Sequence, residues 1–303
     1  MSNSPLKIRF FAPASYSSNL SSPWLESLQD VQCEDYSLRQ NVDGFSGSSM
    51  ERVHELKHCL MNEGFYMAQR GGWGCLQLMQ HYSTSCEWSS IGSGKVQFCG
   101  FSDLTALLNF LSQKGLASCF HGPMFDWPKT SQNLHYLRES FESLCIRRED
   151  YCTRIEGEVV NGDLVQGPLI GGNLSVLLAT FGTPFEPDFK GKVLFLEEIS
   201  EPSYRVDRML TQLSLKRDFK DLHGILFGAF TDCSVSPVDS MDLPVGKLIE
   251  RFVSRLEVPC INGVPTGHLN DFLVLPLETD SSWTQTSDGI EVRLAAKGKQ
   301  ESS

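Results

Sequence analysis

The stretch Val96-Gln97-Phe98-Cys99-Gly100-Phe101-Ser102-Asp103 predicts the turn on which the fold of this 303-residue chain is built. An apolar, strand-like run ends at Cys99, and a strongly helical segment begins at Leu104. A serine between a strand and a helix, two positions after a glycine, has the layout of a nucleophile elbow, where a tight turn exposes the hydroxyl and the helix start supplies free N–H groups. The alternative is an ordinary strand–turn–helix in which Ser102 or Asp103 caps the helix, and the second glycine of an elbow is replaced by Leu104.

Strand-like and helix-like segments alternate along the first half of the sequence. Strands are predicted over 7–12, 65–69, 96–99 and 117–121, and helices over 50–62, 104–113 and 133–144. This alternation is typical of an α/β domain with a parallel sheet, in which ligand sites lie at the carboxyl ends of the strands. Ser102 follows one of these strand ends.

The second half carries its own set of strands and helices. Strands are predicted near 193–196, 225–229, 260–261, 272–275 and 290–294, and helices near 174–180, 204–215 and 245–256. A charged stretch over 147–150, followed by a predicted strand over 155–160, separates the two halves. We therefore predict an N-terminal α/β domain over 1–145, a linker over 146–168, a C-terminal domain over 169–297 and a flexible tail over 298–303.

Two segments of the second half offer partners for Ser102. An apolar strand from Val193 ends in Glu197 and Glu198, and a Pro/Gly-rich loop ends in His268. A serine hydroxyl needs a base to become a nucleophile, and a histidine oriented by a carboxylate is such a base. Glu197 and Glu198 point to opposite faces of a strand, so the pattern alone does not choose between them. The site is expected in the cleft between the two domains.

These motifs, taken in order, resemble the LD-carboxypeptidase family, which includes the murein tetrapeptide carboxypeptidases and their microcin-immunity relatives. The resemblance runs nearly end to end, with two aromatic substitutions, Trp73 and Phe101, where the family usually has tyrosine. It rests on the segments Ile8 to Ser15, Arg70 to Gly74, Gly100 to Leu107, His121 to Met124, Gly171 to Ser175, Leu196 to Glu198, Glu201 to Arg208 and Pro265 to His268.

The resemblance implies a C-terminal mixed α/β domain and a catalytic triad of Ser102, Glu197 and His268. It also implies an oxyanion hole formed by the backbone amides of Asp103 and Gly72. The implied reaction removes the terminal D-alanine from a muropeptide tetrapeptide in peptidoglycan recycling, without a cofactor or a metal, and a homodimer is possible. The nearest alternative is a microcin-immunity-type hydrolase that cleaves an aminoacyl-nucleotide amide. A non-enzymatic binding protein that has kept the fold is a further alternative.

Other residues have competing interpretations. His54-Glu55-Leu56-Lys57-His58 matches the zincin pattern His-Glu-x-x-His, but we see no convincing third ligand downstream and expect a solvated helix face. His121 is expected to be a structural, hydrogen-bonding residue that could also line the cleft. Arg205 and Arg208 suit a substrate carboxylate by their geometry, although a structural ion pair is the commoner role.

Composition and hydropathy argue against several classes of partner and location. The formal net charge of −11 disfavours binding to nucleic acid or to an anionic membrane. The N-terminus has no apolar core of a signal peptide, and no run approaches the roughly 20 apolar residues of a membrane span. The ten cysteines contain no Cys-x-x-Cys pair, and several lie in apolar strand-like runs, so we expect buried, reduced thiols and a cytoplasmic protein.

Overall fold

The computed structural model describes residues 5–19, 21–34, 40–85, 88, 95–234 and 243–296, so the predicted tail over 298–303 lies outside the described residues. Within these ranges the chain forms two large sheets and one short hairpin of β3 (Asn41–Val42) and β4 (Phe45–Ser46). Helices accompany both sheets, which confirms an α/β fold with two domains.

The first sheet is parallel except at one edge. In spatial order its strands are β14 (Leu275–Pro276), β7 (Ser118–His121), β6 (Val96–Gly100), β5 (Gly64–Ala68), β1 (Leu6–Phe11) and β2 (Val31–Cys33). The edge strand β14 comes from the second half of the chain and pairs antiparallel with β7, so that Leu275 lies opposite His121. The chain order therefore does not separate the two domains completely.

Five helices of the first half contribute apolar residues to the core around this sheet. They are α1 (Pro23–Glu26), α2 (Ser49–Met61), α3 (Cys75–Ser85), α4 (Thr105–Gln113) and α5 (His135–Phe141), which continues as a π-helical turn over Glu142–Arg147. Helix α2 begins with a capping box, in which the Ser48 hydroxyl accepts from the Glu51 amide and the Glu51 carboxylate accepts from the Ser48 amide. This cap fixes the start of α2 and with it the buried side chains on its inner face.

The second sheet mixes parallel and antiparallel pairs, which confirms the mixed α/β character of the C-terminal domain. Its spatial order is β8 (Tyr151–Ile155), β16 (Gly289–Leu294), β15 (Asp280–Thr286), β10 (Leu164–Asn173), β11 (Val193–Ile199), β12 (Gly224–Thr231), β13 (Cys260–Asn262) and β9 (Val159–Val160). Strands β10 to β13 are parallel, and the other pairs are antiparallel. Helices α6 (Leu174–Ala179), α7 (Ser203–Ser214) and α8 (Val245–Val253) pack their apolar sides in a second core.

The stretch over 146–168, predicted as a linker, instead supplies β8, β9 and the first part of β10 to the second sheet. Its strand β8 alternates in burial, with Tyr151 and Ile155 buried and Cys152 and Arg154 exposed. The charges that suggested a linker precede this strand. A half-buried strand needs only every second residue to be apolar, so the charged flank obscured the pattern.

Buried hydrogen bonds join the two domains beside the predicted elbow. The Asn109 side chain donates to the Gly171 carbonyl at 2.8 Å and accepts from the Gly171 amide at 3.0 Å. The Thr105 hydroxyl accepts from the Asn173 amide at 3.0 Å, and Asn173 pairs with Glu197 in the neighbouring strand. The first turn of α4 is therefore fixed in register with the strand that carries Glu197.

The structure bears on two expectations from composition, which concern the cysteines and a membrane span. Cys99, Cys119 and Cys260 are buried free thiols, as their apolar surroundings predict. Across the described ranges, no helix is both long enough and apolar enough to cross a bilayer.

Candidate active site

Ser102 lies in the strained turn that the sequence predicts. Strand β6 ends at Gly100, a 3₁₀ turn covers Ser102–Leu104, and α4 follows directly. Ser102 has a φ of 63°, in the left-handed region that side chains other than glycine rarely occupy, which is typical of functional turns. A β-carbon at Gly100 would lie 2.6 Å from the end of the Leu104 side chain and 3.1 Å from the Ala68 β-carbon, so any larger residue there would require Leu104 to move. The turn therefore has the geometry of a nucleophile elbow.

His268 and Glu197 form a hydrogen-bonded pair next to this turn. The His268 Nδ1 atom lies 2.7 Å from Glu197 Oε2, and the Glu197 side chain is completely buried. The ring of Phe101, the residue before Ser102, lies 4.7 Å from the His268 ring between centroids. A carboxylate on Nδ1 fixes the imidazole tautomer and leaves Nε2 to act as a base. The structure thus brings the elbow and the two predicted partners together from both domains.

Glu198, the competing carboxylate, has a different set of partners. It accepts hydrogen bonds from the Asn173 side chain at 2.7 Å, from the Ser175 amide at 2.8 Å and from the Ile199 amide at 2.9 Å. Burial raises the pKa of Glu198, and these hydrogen bonds oppose the rise. Glu198 therefore anchors the start of α6, while Glu197 faces His268.

This division of roles gives a prediction for two matched variants. Glu197→Gln is expected to lower kcat by ~10²-fold or more, because the amide no longer fixes the histidine as a carboxylate does. Glu198→Gln is expected to lower the free energy of unfolding more than kcat, because it weakens the anchor of α6. Steady-state kinetics and chemical denaturation of both variants measure these effects. A larger kcat loss in Glu198→Gln would reverse the assignment.

The glycine-rich loop over 70–74 lies against the elbow. A β-carbon at Gly71 would lie 3.1 Å from Ser102 Oγ, and the exposed Gly72 has a φ of 97°. Asp103 occupies the first turn of the helix, where backbone N–H groups have no acceptor within the helix. The residues predicted for the oxyanion hole, Gly72 and Asp103, therefore lie on two segments that meet at Ser102.

Both family models that correspond to this fold match the chain: the LD-carboxypeptidase N-terminal domain over residues 8–122 and the LD-carboxypeptidase C-terminal domain over residues 166–282. The chain belongs to the LD-carboxypeptidase family. It is 29% identical over 245 residues to the "Probable murein peptide carboxypeptidase" of Bacillus subtilis, covering 78% of this chain and 75% of that protein.

Solved structures agree with this membership. The muramoyltetrapeptide carboxypeptidase from Oxalobacter formigenes has a TM-score of 0.79 and 26% identity, covering 95% of this chain and 98% of that one. The microcin C7 self immunity protein MccF, in complex with aspartyl sulfamoyl adenosine, has a TM-score of 0.79 at 19% identity over 97% of each chain. At that identity the second likeness concerns the fold alone. The same fold therefore occurs in proteins of two named kinds.

His121 is buried beside the Phe101 ring, which also contacts His268. Its ring packs 4.9 Å from Phe195 and 5.7 Å from Phe101, and burial lowers its pKa to about 4, partly opposed by the Glu197 carboxylate. His121 is therefore neutral at neutral pH. Its Nε2 makes no hydrogen bond to any described residue, so the hydrogen-bonding role predicted for it does not involve this atom.

The zincin-like motif has a structural explanation in this family member. His54 and His58 are exposed on α2, and the Glu55 carboxylate accepts a hydrogen bond from the Ala12 amide at 2.9 Å. Among the described residues, no group of three or more His, Cys, Asp or Glu side chains is placed to hold a metal ion. The two histidines of the motif lie on the solvent face of α2, and its glutamate is hydrogen-bonded to the residue that follows β1.

The two arginines of α7 make local contacts. Arg205 Nε lies 3.0 Å from Glu201 Oε2, which matches the structural ion pair considered from the sequence. The Arg208 guanidinium lies over the Tyr204 ring, 5.6 Å from its centroid. Neither contact gives these arginines a place in the site.

Sequence reasoning missed two residues that hold the glycine loop, Ser15 and Arg52. The Ser15 hydroxyl accepts from the Trp73 amide at 3.2 Å, and Arg52 donates to the Gly74 carbonyl at 3.3 Å. Ser15 ends one of the segments that carry the family resemblance, but its contact with the loop follows only from the structure. Arg52 did carry a signal, because it lies one helical turn before Leu56 on the buried side of α2, where a cation is unexpected.

Proposed function

We propose that this protein is a serine carboxypeptidase that hydrolyses the LD-peptide bond before the terminal D-alanine of muropeptide tetrapeptides, in peptidoglycan recycling. The observation that carries the proposal is the 2.7 Å contact between His268 Nδ1 and the buried Glu197, located beside an elbow serine with a φ of 63°. A histidine oriented by a buried carboxylate and adjacent to a half-buried elbow serine is the arrangement that acyl transfer requires.

The proposed reaction has two halves. His268 Nε2 takes the proton of Ser102 as its oxygen attacks the scissile carbonyl, and the amides of Asp103 and Gly72 stabilise the resulting oxyanion. His268 then returns the proton to the leaving amino group, so that D-alanine departs and an acyl-enzyme remains. Water, deprotonated by the same histidine, hydrolyses the ester and regenerates Ser102. The Glu197 side chain holds His268 Nδ1 throughout and stabilises the imidazolium.

The choice of substrate is supported by the relatives. The Bacillus subtilis protein and the Oxalobacter formigenes structure are both named for murein or muramoyl peptides, and both match most of this chain. The resemblance to the microcin immunity protein concerns the fold alone, so an aminoacyl-nucleotide amide is the competing substrate for the test.

We expect the protein to release D-alanine from a disaccharide-tetrapeptide with an L-configured penultimate centre. The same peptide with the opposite penultimate centre is expected to react on the order of 10²-fold more slowly, because an elbow nucleophile attacks from one fixed direction and a misplacement of about 1 Å has this cost. The measurement is kcat/KM for both peptides, with free D-alanine as the product detected.

Two further substrates complete this assay. A pentapeptide ending in D-alanyl-D-alanine tests the stereochemical assignment, and an aminoacyl-nucleotide amide tests the competing function. A preference for the pentapeptide would reject the LD assignment. A preference for the nucleotide amide would replace the muropeptide as the proposed substrate while leaving the serine mechanism in place.

A further inference from the structure

The glycine loop over 70–74 needs external anchors to keep one conformation. Gly72 and Gly74 have φ values of 97° and 123°, which glycine adopts readily but which it also leaves readily, because it has the largest backbone freedom. An oxyanion hole requires its donors to be fixed before the reaction. The conformation of this loop must therefore be imposed by its surroundings.

The first half of the loop is anchored to Ser15. The Ser15 amide donates to the Gly71 carbonyl at 3.2 Å, and the Ser15 hydroxyl accepts from the Trp73 amide at 3.2 Å. A β-carbon at Gly72 would collide with this hydroxyl. These contacts hold the first half of the loop against the segment that follows β1.

The second half of the loop is anchored to the elbow itself. The buried carboxylate of Asp103 accepts a hydrogen bond from the Cys75 amide at 2.8 Å, where α3 begins. Because Asp103 directly follows Ser102, this bond joins the residue after the nucleophile to the residue after the loop. Burial raises the pKa of Asp103, while the Cys75 hydrogen bonds and the nearby charge of Arg52 oppose the rise.

Arg52 connects the remaining segments around the loop. Its guanidinium is buried and donates to the Pro13 carbonyl at 2.9 Å, to the Gly74 carbonyl at 3.3 Å and to the Gln77 side chain at 2.8 Å. The same group lies 4.4 Å from the centroid of the Phe45 ring, and Phe45 in turn contacts Trp73. A planar cation with several fixed donors suits such a junction better than a lysine does.

We propose that the Asp103 carboxylate and the Arg52 guanidinium act together as positioning residues, which hold the Gly72 amide at the distance from Ser102 that the oxyanion hole needs. This inference rests on the proposed serine-hydrolase function. Asp103 thus contributes twice, with its amide as an oxyanion donor and with its side chain as the clamp on the second donor.

The test compares Asp103→Ala with Asp103→Asn. Asp103→Ala is expected to lower kcat by about 10²-fold while KM stays within about threefold, because a displaced oxyanion donor affects the transition state and not substrate binding. Asp103→Asn keeps an oxygen that accepts from the Cys75 amide, so it is expected to recover most of this loss. Arg52→Lys is expected to lower kcat in the same way as Asp103→Ala, since it loses the planar fork.

Hydrogen exchange gives a readout that does not depend on activity. The Trp73 and Cys75 amides are expected to exchange faster in Asp103→Ala than in wild type and to regain protection in Asp103→Asn. Ser281→Ala is the control for stability alone, because the buried Ser281 hydroxyl donates a hydrogen bond to the Gly167 carbonyl at 3.0 Å within the second domain. This control is expected to lower the free energy of unfolding without lowering kcat.

The outcomes test the clamp and the proposed function separately. Unchanged exchange in Asp103→Ala overturns the clamp, and so does a kcat within about threefold of wild type. A kcat loss in Ser281→Ala equal to that of Asp103→Ala also overturns it, because the effect is then one of stability. If the wild-type protein hydrolyses none of the peptides, the proposed function fails, and the exchange data alone decide whether the clamp exists.

Discussion

Replacing Ser102 by alanine is expected to lower kcat on the order of 10³-fold or more, since the proposed acyl-enzyme cannot form without the hydroxyl. The elbow itself is expected to survive, because it is fixed by Gly100, by the Thr105 contact with the second domain and by α4. The measurement is kcat on the disaccharide-tetrapeptide, together with denaturant unfolding of both proteins. A kcat within tenfold of wild type would contradict the serine mechanism.

A second variant at the same position separates the strained backbone from the hydroxyl. Ser102→Gly also removes the nucleophile, but glycine adopts a φ of 63° without the cost of roughly 1–2 kcal/mol that a side chain incurs in this region. Ser102→Gly is therefore expected to be as inactive as Ser102→Ala and at least as stable. If both variants are inactive and Ser102→Gly is the more stable of the two, the left-handed φ at Ser102 lowers stability and serves only to place the hydroxyl.

The elbow was predictable because its signals are local. The change from a strand-like run to a helix, the glycine and the serine all lie within nine residues, and the close contact between Gly100 and Leu104 lies within the same turn. Most strands and helices of both halves were predicted within a few residues of their observed bounds for the same reason. Local pattern suffices where an element presents one continuous apolar face.

The errors in the fold come from interactions that are distant in sequence. Strand β14 has two residues, and its place in the first sheet depends on pairing with β7, more than 150 positions earlier. Helix α3 was missed because it follows a glycine loop and mixes polar and apolar residues. Strand β8 and the start of β10 were missed, because a charged flank precedes β8, while the strand predicted over 155–160 is the two-residue β9. Local sequence patterns do not show which distant segments pair with each other.

The site shows the same division between local pattern and tertiary contact. Ser102 and His268 follow from their motifs, whereas the choice between Glu197 and Glu198 came from family resemblance, because the two differ only in which strand face they occupy. The structure gives the physical basis of the choice: one carboxylate meets His268, and the other holds α6. The clamp of Asp103 and Arg52 is not visible in the sequence, since its parts lie on four separate segments that only folding brings together.

His268→Ala is expected to lower kcat by a factor comparable to that of Ser102→Ala, because the hydroxyl then has no base. Unlike the serine variant, it is also expected to lower the free energy of unfolding by about 1–3 kcal/mol. The Glu197 side chain is completely buried, and removal of its partner leaves a buried acceptor without a donor. Steady-state kinetics and chemical denaturation measure the two effects separately.

The double variant Glu197→Ala, His268→Ala distinguishes a catalytic loss from a folding loss. Removing the carboxylate as well eliminates the unpaired buried group, so part of the lost stability is expected to return while kcat stays low. His54→Ala is the matched control, since this exposed histidine of α2 belongs to the zincin-like motif and not to the cleft. If His54→Ala were inactive and His268→Ala active, the metal interpretation would replace the triad. If activity returned together with stability in the double variant, His268 would be a structural residue, and the base would have to be sought elsewhere.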